Sequence, residues 1–445
     1  MRVTSFAASF LASFVVAGSA AAQDLLQVYR DARSYDAPFA AARYALQAGL
    51  EKLPQGRALI LPTLNLSTNA SSTRIDSYLR NSVSPPLLRD LHSYGYSLSF
   101  SQPIYRPQNL LQYGQAEFLV KQAEATFGQA AQDLIVRTAQ AYFDVLAAQD
   151  TLALVKAQKV AIGEQLAQAK RNFEVGTATI TDTHEAQARF DLSAAQEIAA
   201  QNDLDAKQRA LQQITGKEYP GLKPIRPQVK LSPPNPASMQ SWVDLAEKQG
   251  YPVAIQDSAT EIAKLEAQRT AFGHYPTLDL VAGYGTTSQT GSPIIATTGS
   301  SLVTTGTVAL QLGIPLYSGG ALTSREREAA ANYDKAKQDL ENARRSAALT
   351  ARQTYLAVIN GIAQVGALEQ ALVSSQSALE SNKLGYEVGV RINIDVLNAQ
   401  QQLFSTRRDL AVARYNTITS HLRLKAAAGS LREEDLEEVN RALQP

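Results

Sequence analysis

The 445-residue sequence contains no cysteine and only four histidines. Without cysteine the chain has no disulfide and no thiolate ligand for a metal. The histidines are scattered, and none has the H-E-x-x-H spacing of a zinc site; His184, beside Glu185, is interpreted as a solvated helix residue. A G-x-S-x-G elbow, a glycine-rich phosphate loop and paired catalytic carboxylates are also missing. The sequence therefore predicts no catalytic residue, no metal site, no cofactor and no enzymatic activity.

An excess of charge of either sign is missing too. The chain has 42 basic and 41 acidic residues, which leaves a net charge of +1. A balance of this kind produces no bulk field that would attract a polyanion. No nucleic-acid partner is therefore expected.

Long apolar runs are scarce. Arg2 is the only charge before Asp24, and an apolar run over 6–16 leads to an A-x-A site at 20–22. This pattern predicts a secretory signal peptide over 1–22. No later run of about 18 apolar residues is present, so no transmembrane helix is predicted and a membrane role would have to come from β-strands.

The sequence is written twice. The tetrapeptide FEVG at 173–176 returns as YEVG at 386–389, 213 positions later, and the same offset pairs Asp182 with Asp395. We interpret the chain as two structural repeats, 23–216 and 238–429. A Pro-rich segment at 217–237 separates them, and a tail at 430–445 follows, both expected at the equator of the helical part. A unit of this length is too long for a short solenoid repeat.

Each repeat contains two segments in which apolar side chains alternate with Gly, Ser, Thr, Asn or Gln. They predict strands at about 62–72, 93–105, 276–286 and 302–317. Segments of about ten alternating residues suit tilted strands that cross a bilayer. Asp279 is the one charge on the polar face. Four strands cannot close a barrel, so the pattern requires an oligomer if the strands lie in a membrane.

Long Ala- and Gln-rich segments follow each pair of strands. They predict helices at about 109–172, 182–214, 321–383 and 395–427, of which the first and third contain no proline. The last has a 3-4 spacing of apolar and small residues from Val396 to Ala427, whereas Glu197 and Lys207 interrupt the matching face of the second. Small residues on more than one face favour helices that each pack against two neighbours, as in a ring.

The turn at 386–400 (YEVGVRINIDVLNAQ), its partner at 173–182, and the strand exits at 102–105 (QPIY) and 314–320 (IPLYSGG) resemble the TolC family of outer-membrane efflux proteins. The resemblance covers essentially the whole mature chain. It implies a mainly α fold with a transmembrane β-barrel. In this family a homotrimer supplies four strands per protomer to a twelve-stranded barrel, which is continuous with a long periplasmic α-helical barrel.

The resemblance also implies the function. The chain is expected to be an outer-membrane exit duct for efflux of small molecules or type I protein secretion. Its expected partners are two further copies of itself, a periplasmic adaptor protein, an inner-membrane transporter (ABC or proton-driven) and outer-membrane lipid.

Residue roles carry over at the helix tips. The positions that match the family's motif are a periplasmic gate or latch at Thr181, Asp182, Tyr386 and Arg391, a pore constriction at Asp395 and Asn398, and tip turns for adaptor docking at Val175, Gly176, Val388 and Gly389. An Arg–Asp or Tyr–Asp link between neighbouring coils would hold such an entrance shut, and each exposed link is worth about 1 kcal/mol or less. Asn398 stands where the family often has a second acidic ring, which predicts weaker block by multivalent cations.

Two alternatives stay open at this point. A periplasmic coiled-coil scaffold or adaptor protein without a membrane barrel would share the long helices but not the alternating strands. A general diffusion porin would need many strands per chain, whereas this sequence offers four.

Overall fold

The computed structural model describes residues 22–77, 87–226, 231–290 and 299–444. The predicted signal peptide lies outside them except for Ala22. Within the described residues the chain forms four strands and ten α-helices. The strands are β1 (Thr63–Ser77), β2 (Leu87–Tyr105), β3 (Thr277–Thr290) and β4 (Ser300–Gly313). The helices are α1 (Leu25–Tyr35), α2 (Ala37–Leu50), α3 (Lys52–Ala58), α4 (Pro107–Glu174), α5 (Ile180–Thr215), α6 (Met239–Gln249), α7 (Tyr251–Ala271), α8 (Ala321–Glu387), α9 (Asn393–Ala427) and α10 (Glu433–Arg441).

The repeat is visible in the order of elements, since short helices, two strands and a pair of long helices occur twice. The helices before each strand pair, α1 to α3 and α6 to α7, were not predicted from the sequence. The fourth strand was predicted to reach residue 317 but ends at Gly313. Pro315 lacks the N–H that a strand ladder needs. Gly319 and Gly320 follow with φ of 62° and 83°, and they turn the chain into α8.

The four strands form one antiparallel sheet in the order β1-β2-β3-β4. Leu66 lies opposite Leu98, and Leu98 lies opposite Tyr284, so large apolar side chains line up across three strands. These three side chains are 39–70% exposed. The other face carries small polar groups, such as Ser67 and Ser97, whose hydroxyls are 2.7 Å apart. One face of the sheet is thus apolar and is left uncovered by the other described residues.

The described residues fall into two compact units. The first contains the residues up to Ala40, Ala130–Leu245 and Leu349 onwards, and the second contains Ala41–Gln129 and Ala246–Ala348. The long helices α4 and α8, with 68 and 67 residues, contribute to both.

In the second unit, an ion pair fixes the point where the sheet meets the helices. Arg106 follows β2 directly, and its Nε and Nη2 donate to Asp279 Oδ1 and Oδ2 at 2.7 and 2.5 Å. The Asp279 side chain is 8% exposed, whereas that of Arg106 is 44% exposed. The charge that Asp279 places on the polar face of β3 therefore has a bidentate partner beside the bulge at 103–105.

In the first unit, α9 packs along α8 through the side chains that the 3-4 spacing predicts. Leu379 contacts Val396 and Leu403, Val365 contacts Leu410, and Val358 contacts Leu424. The charges that interrupt the matching face of α5 pair with α4 instead: Glu197 lies 2.8 Å from Lys159, and Lys207 lies 3.6 Å from Asp144.

The same unit holds the segment between the repeats. Asp31 of α1 accepts hydrogen bonds from Lys217 Nζ at 2.7 Å and from the Tyr219 hydroxyl at 2.9 Å. Isolated β-bridges join Gln23 to Leu222 and Ile225 to Leu443. The start of the Pro-rich segment is therefore tied to α1 and to the C-terminal tail.

One helix contradicts the expectation that no later segment is apolar enough to cross a membrane. An 18-residue window within α8 passes that test by length and composition. Only 11% of the window is buried within the chain.

Because Asp279 is buried and Arg106 is half-exposed, substituting one or the other should lower the free energy of unfolding by different amounts. Arg106→Ala leaves a buried carboxylate without a partner, which costs about 3 kcal/mol or more. Asp279→Asn leaves a guanidinium that water reaches and should cost clearly less. The check is the urea midpoint of the purified protein in detergent. Equal shifts for the two variants would contradict this asymmetry, and Asp90→Asn, at the exposed Arg74–Asp90 pair, is the control expected to change little.

Candidate functional site at the helix tips

Both pairs of long helices end in the same turn. Gly176 and Gly389 have φ of 80° and 81°, a left-handed conformation that costs other residues roughly 1 kcal/mol. Thr177 N donates to Asn172 O at 2.8 Å, and Val390 N donates to Gly385 O at 2.9 Å. These bonds complete a Schellman motif at the end of α4 and of α8. The two glycines are therefore explained by turn geometry.

The helices that return from the two tips begin differently. At the start of α5, Thr179 Oγ1 accepts from Asp182 N at 3.2 Å, and Asp182 Oδ2 accepts from Thr179 N at 3.0 Å. This reciprocal capping box occupies the Asp182 carboxylate within its own turn. Thr181, beside it, is exposed.

At the start of α9 the matching cap residue is Ile392, whose side chain cannot accept a hydrogen bond. Asp395, the match of Asp182, is consequently free of a capping role. It lies 3.7 Å from Arg391 Nη1. The stem of Arg391 packs so closely over Gly385 that a Cβ there would lie 2.7 Å from Arg391 Cγ. The second tip therefore holds an Arg–Asp pair where the first holds a cap.

Tyr386 joins the two helix pairs within one chain. Its hydroxyl accepts from Asn172 Nδ2 at 3.1 Å. Among the described residues, no hydrogen bond or ion pair connects Asp182 to Tyr386 or to Arg391. Within the chain, Tyr386 contacts Asn172 and Arg391 contacts Asp395. The Tyr–Asp and Arg–Asp links expected between neighbouring coils stay predictions.

A second polar contact between the helix pairs lies further along α5. Arg189 donates from Nη1 to Gln401 Oε1 at 2.7 Å and from Nη2 to Asn398 Oδ1 at 3.0 Å. Beneath it, Leu397 of α9 is 2% exposed and packs against Ile162, Leu166 and other apolar side chains of the first helix pair. The α9 helix therefore contacts both its own partner α8 and the first helix pair.

Further along, α4 and α9 are joined by two aromatic side chains and a carboxylate. Phe143 stacks on Tyr415 with ring centroids 5.7 Å apart, and the Tyr415 hydroxyl donates to Asp150 Oδ2 at 2.7 Å. Burial raises the pKa of the Asp150 carboxyl, and the hydrogen bond from Tyr415 opposes that shift. Burial also raises the pKa of Tyr415, and the neighbouring Asp150 charge adds to the shift. The two helix pairs are thus joined by packing, hydrogen bonds and a buried tyrosine.

The outermost side chains of both tips are apolar and exposed. Val175 is 73% exposed on the first tip, and Val388, Val390 and Ile392 are 60–76% exposed on the second. The two tips therefore share exposed aliphatic side chains at their outer ends.

Sequence reasoning missed Asn172, Arg189 and the Tyr415–Asp150 pair. A comparison of the two copies holds a signal for the first, since Asn172 matches Gly385 and is the polar residue at an otherwise shared turn. Arg189 and Asp150 carry no such signal, because charged residues are common on exposed helix faces. His184 is exposed. Among the described residues, no group of three or more His, Asp or Glu side chains is placed to hold a metal ion.

Comparison with known proteins matches this arrangement to one family. The model of the family "Outer membrane efflux protein" matches residues 28–217 and 254–430. The chain is 34% identical over 423 residues to the outer membrane protein TolC of Vibrio cholerae serotype O1, covering 95% of this chain and 94% of that protein. It is 33% identical over 420 residues to the alkaline protease secretion protein AprF of Pseudomonas aeruginosa, covering 93% and 86% of the two chains.

A solved structure has the same fold. The outer membrane protein VceC from Vibrio cholerae superposes with a TM-score of 0.76 at 19% identity, and the match covers 91% of this chain and 96% of that one. The two family-model segments coincide with the two copies that the sequence repeat defines. The chain belongs to the family of outer membrane efflux proteins.

Proposed function

We propose that three copies of this outer-membrane exit duct join their sheets into one twelve-stranded barrel and their long helices into one tunnel. The proposal rests on the open sheet. In a bilayer no water is available to satisfy the unpaired N–H and C=O groups at a sheet edge. The outer edges of β1 and β4 are unpaired in the sheet order β1-β2-β3-β4, so they need strands from other copies. The apolar side chains exposed on one face then lie against lipid.

The duplication indicates where a neighbouring copy binds. Phe143 and Leu397 are 1% and 2% exposed because the other helix pair of the same chain covers them. Their matches in the other copy, Leu356 and His184, are exposed, Leu356 by 49%. A matched position that is covered in one copy and open in the other marks a surface for the next chain.

Matched positions that are exposed in both copies give the contrast. Val160 and Val373 are 64% and 63% exposed. Neither is covered by the contact within the chain, so neither lies where the next chain would bind. The comparison separates the proposed subunit contact from the remaining surface of the helices.

We propose the other partners from the exposed tip residues and from the relatives. The exposed valines of the two tips form an apolar surface for a periplasmic adaptor protein, which connects the duct to an inner-membrane transporter of the ABC or the proton-driven class. AprF is named for secretion of alkaline protease, and the matching family is described by efflux. Cargo of this chain is accordingly a secreted protein, a small molecule or both. The scaffold or adaptor alternative is not favoured, because such a protein has no use for a sheet with an uncovered apolar face.

The tips form the proposed gate. Tyr386–Asn172 holds the second helix pair to the first within a chain, and Arg391 with Asp395 lies where an adjacent chain approaches. Asp182 and Thr181 shape the first tip, and Asp395 and Asn398 lie at the constriction. Each link is weak, so an adaptor that repeats a modest contact on three chains is able to open the entrance.

The proposed subunit contact makes a direct prediction. Leu356→Arg places a charge in the contact between chains, where desolvation without a partner is costly, and should lower the trimer fraction at least about tenfold. The matched control Val373→Arg should leave the trimer intact. Native mass spectrometry of detergent-extracted protein measures both. Equal loss in the two variants, or no loss in either, would contradict the assignment of this surface.

If the Tyr386–Asn172 hydrogen bond holds the gate closed, removing either partner should raise conductance by the same amount. Tyr386→Phe and Asn172→Ala each remove one hydrogen bond of about 1 kcal/mol per chain. Three chains together then shift the open-to-closed ratio by about a hundredfold. Single-channel recording in planar bilayers should show raised conductance in each variant, with no further rise in the double variant because both remove the same bond. Arg391→Ala should also raise conductance by freeing the second tip.

If Tyr386→Phe and Arg391→Ala both conduct no better than the wild type, the gate lies elsewhere. If the Tyr386→Phe/Asn172→Ala double variant equals the sum of the single effects, the two residues act separately and the hydrogen bond is not the latch.

A further inference from the structure

Arg189 of α5 binds two side chains of the opposite helix pair at the level of the proposed constriction. Its two terminal nitrogens are divided between Asn398 and Gln401, one helical turn apart on α9. Both acceptors are neutral amides. Among the described residues, no carboxylate forms an ion pair with Arg189, and Glu185, one turn earlier on α5, is not bonded to it. The side chain is half-buried, which limits its freedom to turn away.

The contact has no equivalent in the other copy. The offset of 213 matches Arg189 with Gln402, Asn398 with Glu185 and Gln401 with Ala188. A neutral glutamine thus replaces the guanidinium, and alanine replaces one of the acceptors. The contact occurs once per chain and three times in the proposed trimer.

The packing around the contact makes it a fixed one. Asn398 directly follows Leu397, which is buried among Ile162, Leu166 and Ala169 of α4 and Ala186 of α5. Asn398 itself is exposed. The backbone at 397–398 is therefore anchored against the first helix pair, and any side chain at 398 begins within reach of the guanidinium.

We propose that Arg189 is a specificity-determining residue: it sets the charge at the level of Asn398 and prevents that position from acting as a cation-binding ring. This proposal rests on the exit-duct function and deepens it. The asparagine at 398 then acts as the acceptor of a link between the helix pairs. An aspartate placed there would form an ion pair with Arg189 before it could bind a passing cation.

Sequence and structure predict different effects of Asn398→Asp on block by a trivalent cation. From the sequence alone, Asn398→Asp should restore a second acidic ring and strengthen block by a trivalent cation. From the structure, Asn398→Asp alone should change block by hexaamminecobalt less than about twofold, because each new carboxylate lies about 3–4 Å from a guanidinium. Only Arg189→Gln together with Asn398→Asp should expose the ring and strengthen block at least about tenfold.

The test compares the wild type and four variants in planar bilayers: Asn398→Asp, Arg189→Gln, the double variant and Asp395→Asn. Channel block is titrated with hexaamminecobalt, and native mass spectrometry confirms a trimer in each case. Arg189→Lys combined with Asn398→Asp is a fifth variant, which keeps the positive charge but loses the two-nitrogen guanidinium. Its block by hexaamminecobalt should stay close to that of the wild type. If Arg189 had only a structural role, Arg189→Gln would change conductance. The effect of Asn398→Asp on block would then be the same with arginine or glutamine at position 189.

Two results would overturn the proposal. One is a full gain of block in Asn398→Asp alone, which would mean that Arg189 does not neutralise the new carboxylate. The other is a double variant that is blocked no better than the wild type, which would place residue 398 away from the ion path. The exit duct is judged separately: it fails if the wild type forms no channel, and the Asp395 constriction fails if Asp395→Asn leaves block unchanged.

Discussion

Backbone hydrogen bonding at the two open edges of the sheet is the constraint on which the rest depends. A strand edge facing lipid leaves donors and acceptors that nothing can satisfy, and each costs several kcal/mol. The order β1-β2-β3-β4 leaves one edge on the first strand of the first copy and the other on the last strand of the second copy. Closure by neighbouring chains removes both edges at once.

The duplication then determines how the helices are shared. Because α9 packs against α8 on one side and against the first helix pair on the other, each chain contains one complete contact between unlike helix pairs. In the trimer that we propose, the second contact of the same kind comes from the next chain. The two differ in chemistry: within the chain it includes the Phe143–Tyr415 stack, whereas the matched positions of the other copy are Leu356 and Asn202. The contact that we propose between chains therefore lacks this aromatic stack.

The tips show how one turn is given two roles. Both copies need a glycine with positive φ, and both have one. Only the first has Thr179, so only there is the acid of the turn occupied as a helix cap. Ile392 in the second copy releases Asp395 for Arg391. A single difference in cap residue thus separates an aspartate that caps a helix from one that is available at the proposed constriction.

Much of this was predictable from the sequence, because strand alternation, helix spacing and the turn glycines are local patterns that the backbone enforces. The long helices and the four strands were found for that reason. The end of β4 was not, since alternation continues through Leu316 although Pro315 interrupts the ladder. The partners of Tyr386 and Asn398 were also not predictable, because Asn172 and Arg189 reach them across 214 and 209 positions of sequence and depend on how two helix pairs meet. The apolar window of α8 was overlooked because its few polar residues interrupt every long apolar run.

The most direct test of closure by three chains is disulfide crosslinking across the open edges, which is clean because the chain has no native cysteine. Ser67→Cys in β1 is combined in turn with Thr305→Cys, Thr307→Cys or Ala309→Cys in β4, all on the polar face of the sheet. These edges of one sheet are about 14 Å apart, too far for a bond within a chain. The account predicts that at least one pair gives a ladder of linked chains that ends at three under denaturing electrophoresis. A ladder that ends at two, one that continues beyond three, or the failure of every pair to link would contradict it.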